Sequence, residues 1–223
     1  MNSFFAIQRL STDTLMAIGA VGGIVIVALS YAQWRLAVKA AFIILLFEGA
    51  IRKWVFPQGQ ELVYFLKDGV LLGAYIRFYL SPDALVKSWK IRAPMAGIAL
   101  LSAIPAFSAL NPNIGSPILA LYGVKIYLYY IPLAFMMPYL FRSQQELIKQ
   151  LTWYALLATP ICLLGIAQFA APGSSLLNVY AATGSDTEAT TFGFGEKVRI
   201  TGTFSYLTGH TTFVIFFVGL HIA

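Results

Sequence analysis

The chain has 223 residues, of which 59% are hydrophobic and only 11% charged, with a mean hydropathy of +0.76. That composition excludes an ordinary soluble globular domain. The net charge of +6 is not gathered into a basic stripe interleaved with aromatics, which excludes a nucleic-acid partner.

In chain order, apolar runs fall at 14–30, 34–51, 61–80, 93–110, 117–140, 148–170 and 204–223. Runs of roughly 16–25 residues match the length a helix needs to cross a ~30 Å hydrocarbon layer. They predict an all-α, polytopic membrane protein with about seven transmembrane helices. Aromatic residues near the ends of the runs (Trp34, Trp54, Tyr79, Trp89, Tyr139, Trp153) fit interfacial anchors, and no dyad alternation suggests a barrel.

The first run follows Arg9 and ends Ala28-Leu29-Ser30, so a signal peptide competes with a retained helix; the retained helix is the expectation. Gly19 and Gly23, four residues apart, suit close helix packing.

The second run ends in Glu48-Gly49-Ala50-Ile51-Arg52-Lys53-Trp54. Glu48 and Arg52 share a helix face and can pair, while Lys53 and Trp54 read as interfacial anchors. Lys67 and Asp68 in the third run, and Lys125 in the fifth, are charges within apolar stretches. A charge there costs at least ~2.5 kcal/mol, so each needs a partner or a purpose. The basic 77–92 loop, with Arg77, Lys87, Lys90 and Arg92, points to the cytoplasm by the positive-inside rule. Residues 52–60, 111–116 and 171–203 then face outside, and the charged groups near 48–68, at Lys125 and at Arg199 converge on that side.

Cys162 is the single cysteine and His210 and His221 the only histidines, so no disulfide framework or metal-ligand spacing is present and no metal or cofactor is expected. Gly193 and Gly195 are too few for a phosphate-cradling loop. The long hydrophilic stretch 171–203 closes on Arg199-Ile200-Thr201-Gly202-Thr203-Phe204. An arginine before a Thr-Gly-Thr turn at the start of a helix favours an anion, through the fork of guanidinium donors and the free N–H groups of the helix end. His210, two turns into the last run, wants both a donor and an acceptor partner in lipid.

The Arg199–Phe204 stretch resembles the Arg-x-x-Gly-Thr-Phe signature of the bacterial O-antigen ligase and polysaccharide polymerase superfamily. Phe47–Trp54, Phe65–Asp68 and Tyr122–Phe135 are similar to an exopolysaccharide polymerase-like branch of it. The resemblance implies a multi-pass protein of the bacterial inner membrane. It would transfer a glycan from undecaprenyl diphosphate to an acceptor sugar or lipid on the outer face, without nucleotide sugar or required metal. It would assign Arg199 to the donor diphosphate, with Arg52, Lys125 and Lys67 as further cationic contacts. The catalytic candidates are Glu48, as base or as brace for Arg52, and His210. Where the family continues with an Asn-Pro-Asn-like turn this chain has Ser205-Tyr206-Leu207. Residues 1–223, ending within an apolar run, are expected to form a single transmembrane domain from the N-terminal part of a longer protein.

Two other classes fit the charges. A transporter or flippase of anionic lipid-linked saccharides would line a path to both faces, whereas a non-catalytic membrane subunit would use the charges only to set topology. The concentration of cations toward one side, and the lack of a visible inverted repeat, argue against transport.

Overall fold

The computed structural model describes residues 12–80, 95–179, 199–205 and 207–222. Every regular element among them is helical, as the apolar runs predict. Each run carries a helix: α1 Thr12–Ala32, α2 Trp34–Ala50, α3 Gln60–Leu80, α4 Met95–Ala109, α5 Pro117–Leu128, α6 Ile131–Leu140, α7 Gln144–Ala170 and α8 Leu207–Ile222. Most of the 77–92 loop and of the 171–203 loop lies outside the described residues, and the orientation drawn from them with it.

The local chemistry that starts and stops these helices is conventional. Ser143 caps α7 by accepting from the Glu146 amide (3.2 Å), and Pro117 opens α5 behind the Ser116 cap. Gln33, with φ −129° and ψ 56°, separates α1 from α2. α2 ends differently. It passes into a π-helical turn, Ile51–Val55, closed by Phe56 N–H donating to Ile51 O (2.7 Å). Single π-helical turns of this kind are frequent at functional sites.

Among the described residues two helical stretches are long and apolar enough to cross a membrane: Pro117–Leu140, in which α5 and α6 run on from one another, and α7. Their most apolar windows are 0% and 22% buried, so neither is a core helix wrapped by its own chain. Large apolar side chains such as Ile24, Leu101, Phe107, Ile118 and Ile166 are likewise exposed.

The chain divides into two compact units, residues 1–74 with 143–223, and residues 75–142. In the second, Tyr75 and Tyr79 donate to the carbonyls of Tyr129 (3.0 Å) and Pro132 (2.7 Å), tying the end of α3 to the α5–α6 junction. In the first, Leu46 of α2, Ala158 and Ile161 of α7, and Phe204, Phe213 and Phe217 at the start of and along α8 form the buried cluster. Phe213 lies 5.4 Å from Phe204 and 4.6 Å from Phe217 between ring centres. At the opposite end of α2, Lys39 pairs with Glu146 of α7, and Tyr154 donates to the Lys39 carbonyl (3.1 Å).

The expected close packing at Gly19 and Gly23 is not where backbones approach most. A Cβ on Gly23 would meet nothing within 4 Å, and one on Gly19 only the Leu62 side chain. The close approaches are Gly73 of α3 against the Val27 carbonyl of α1, and Gly49 of α2 against the backbone of Thr203–Ser205. Small residues serve packing only where the partner backbone arrives.

Candidate functional site

The last turn of α2, its π-helical extension and the first half of α3 bring three cations together in the first unit. Glu48 sits between two of them: Arg52 Nη1 is 3.5 Å from Oε1, and Lys67 Nζ is 2.7 Å from Oε2. The expected Glu48–Arg52 pair is present, and Lys67 finds its partner on another helix rather than in its neighbour Asp68. Lys67 also donates to the Tyr64 carbonyl (2.9 Å), and both cations lie over the Tyr64 ring, at 4.2 Å for Lys67 and 5.3 Å for Arg52. Arg52 Nη1 donates further to Ser205 Oγ (3.0 Å), while its Nε is buried without a hydrogen-bond partner.

Lys53 departs from its expected role. An interfacial anchor shows its ammonium to headgroups and water, but Lys53 has no exposed surface at all and donates to Thr201 Oγ1 (2.6 Å). It follows the buried Gly49 of α2 by four residues, on the same helical face. Burial without a carboxylate within ion-pair distance among the described residues pushes its pKa down to about 8. Trp54 is half-buried, its Nε1 donating to Leu176 O (2.9 Å). Glu48, Arg52, Lys53, Lys67 and Asp68 count three cations against two carboxylates, an excess of positive charge in a largely buried setting.

What these cations hold is the resembled signature itself. Phe204 N–H donates to Thr201 O (3.0 Å) to close a turn in which Gly202 has φ +57°, the left-handed region that glycine enters without strain. Thr201, Gly202, Thr203 and Phe204 are all buried. Thr203 donates to the Leu46 carbonyl of α2. From the other side, Gln168 in the last turn of α7 accepts from Gly202 N–H (2.7 Å) and donates to Gly202 O (3.1 Å) and Leu177 O (2.9 Å). Asn178 in turn donates to the Gln168 and Pro172 carbonyls (3.1 and 3.0 Å), satisfying a helix-end acceptor.

Arg199 stands just outside this held turn and is exposed. His210, one turn into α8, packs over Gly202: a Cβ there would fall 2.7 Å from its Nδ1, which is buried and makes no hydrogen bond. Its ring lies beside Phe204 and Phe213, at 6.1 and 6.5 Å. Lys125 belongs to the second unit, its Nζ 5.3 Å from the Tyr122 ring centre. Among the described residues no three His, Cys, Asp or Glu side chains gather as metal ligands, and Cys162 is a free, exposed thiol.

The structure thus joins Glu48, Arg52 and Lys67, sets His210 against the same turn that Arg199 precedes, and adds two residues that sequence reasoning missed. Gln168 had a signal, an amide standing within the apolar stretch Leu163–Ala170. Lys53 had one too, its place four residues after the buried Gly49, but its acceptor Thr201 lies 148 positions away. No protein-family model, curated protein or solved structure matches the chain.

Proposed function

We propose that this chain is a multi-pass protein of the bacterial inner membrane, with about seven spans. In this reading it transfers or polymerises a glycan carried on undecaprenyl diphosphate, on the outer face. The observation that carries the reading is the attachment of Arg52 and Lys53 to Ser205 and Thr201, which gathers excess positive charge behind the turn that presents Arg199. Preorganised cations of this kind suit a diphosphate that gains charge as it leaves. The acceptor hydroxyl would displace the diphosphate at the anomeric carbon. The new glycosidic C–O bond forms as the sugar–phosphate C–O bond breaks, and the hydroxyl proton passes to a base.

Arg199 would contact the diphosphate directly, with Arg52 behind it. Both oxygens of Glu48 are engaged by cations, which favours a brace over a base. His210, half-buried beside the turn, is the remaining candidate for the proton acceptor. The test is Arg199→Ala in cells whose own copy of the gene carries the change. The expected result is loss of the extracellular polymer with normal membrane insertion. Polymer at the unaltered level would overturn the reading, and lost insertion would favour a purely structural subunit.

A further inference from the structure

Gln168 treats Gly202 as a peptide group treats its ladder partner. Its amide oxygen takes the Gly202 N–H and its amide nitrogen gives a proton to the Gly202 carbonyl, closing a two-bond ring around one residue. Its second N–H is committed to Leu177, and its own carbonyl is held by Asn178. With 1% of its surface exposed, the side chain has no freedom to rearrange. Lys53 grips the preceding residue, Thr201, from the α2 side. The turn is therefore held from two directions, with Arg199 two residues before Thr201.

We propose that Gln168 is a positioning residue: by holding the Thr201–Gly202 turn it sets where Arg199 presents its guanidinium to the anionic group of the substrate. The assignment rests on Arg199 being the diphosphate contact. An amide is the right group, because one side chain must both donate to and accept from the same buried peptide unit. An ionised carboxylate supplies only acceptors, and a thioether is at most a weak acceptor. Gln168 touches no substrate; it acts through the turn. A displacement of about 1 Å at a binding group is enough to cost ~100-fold in function.

The experiment compares wild type, Gln168→Met, Arg199→Ala and the double variant, each as the full chain in lipid nanodiscs. Two readouts are taken: affinity for undecaprenyl diphosphate, and amide hydrogen exchange over residues 199–205. Gln168→Met is expected to accelerate exchange at Gly202 and to weaken binding about tenfold or more, the scale of one charge-assisted contact. In the Arg199→Ala background the same change should weaken binding no further, which a merely structural role would not produce.

Unchanged exchange in Gln168→Met would overturn the clamp. Faster exchange with fully additive losses of binding would overturn its action through Arg199. If Arg199→Ala alone leaves binding intact, the functional reading fails and with it the positioning role, while exchange still reports on the clamp by itself. Should Gln168→Met not insert, Gln168→Asn keeps the amide but withdraws it by one methylene and is expected to show the same pattern at smaller amplitude; normal exchange and affinity in it would overturn the clamp.

Discussion

Lys53 is the residue whose environment most contradicts its chemistry, since a lysine with no exposed surface is normally paired with an acid. Burial lowers its pKa to about 8 from 10.5, and the sign of the consequence follows. Below about pH 8 the folded and unfolded chains both carry the proton, and the penalty for burying it is constant. Between about pH 8 and 10.5 the unfolded chain keeps a proton that the folded chain has shed, so stability rises with pH, by on the order of 3 kcal/mol across the window. The thermal midpoint in nanodiscs should therefore climb from pH 8 to pH 10 in the wild type, and the climb should vanish in Lys53→Met. A midpoint that is flat over this range in the wild type would count against a charged, buried Lys53. Glu48 offers a second test at the same scale. As a brace between Arg52 and Lys67, its loss in Glu48→Gln leaves two cations uncompensated and should cost about 3 kcal/mol, with activity falling in step with stability. A Glu48→Gln protein of wild-type stability but without polymer would instead identify Glu48 as the base.

Among the elements, α2 is the organising one. Its Gly49 lies so close to the Thr203–Ser205 backbone that a methyl group has no room, whereas Gly22 and Gly23 of α1 face open space. Gly49→Ala should cost about 1–3 kcal/mol by overpacking, while Gly22→Ala should be neutral or slightly stabilising through helix propensity. Denaturation midpoints of the two variants check the contrast. The helices themselves were legible, because the length and polarity of an apolar run are local properties, and so was the Glu48–Arg52 pair, set by a spacing of four. The rest of the site was not. Lys53 follows the buried Gly49 by four residues and so shares its face, but a lysine at the end of an apolar run reads as an interfacial anchor, and its acceptor Thr201 is remote in sequence. The Gln168–Gly202 pairing joins residues 34 apart across a long loop, and the Lys53–Thr201 bond spans 148 positions. No local pattern encodes contacts of that separation.

For the whole molecule, the exposed apolar helices make one prediction independent of any chemistry. The chain should stay in the membrane fraction after alkaline carbonate extraction, and recovery in the supernatant would refute the spanning reading. A reporter inserted at Asp186 should be active only outside the cytoplasm if the basic 77–92 loop sets orientation; cytoplasmic activity would reverse the topology. The order in which the charges find their partners bears on how such a chain is made. Glu48, Arg52 and Lys67 lie within 20 consecutive residues, so they can neutralise one another as soon as α3 emerges behind α2. Lys53 must wait for Thr201, and Arg52 for Ser205, until 148 and 153 further residues have been translated. In the proposed multi-pass reading, the ion trio would serve as a temporary internal counter-charge for the polar end of α2 in the interval before α8 arrives. A ribosome stalled before residue 201 would hold an α2 whose Lys53 is still unclaimed, and this is the stage at which an insertase or chaperone has most to offer the nascent protein.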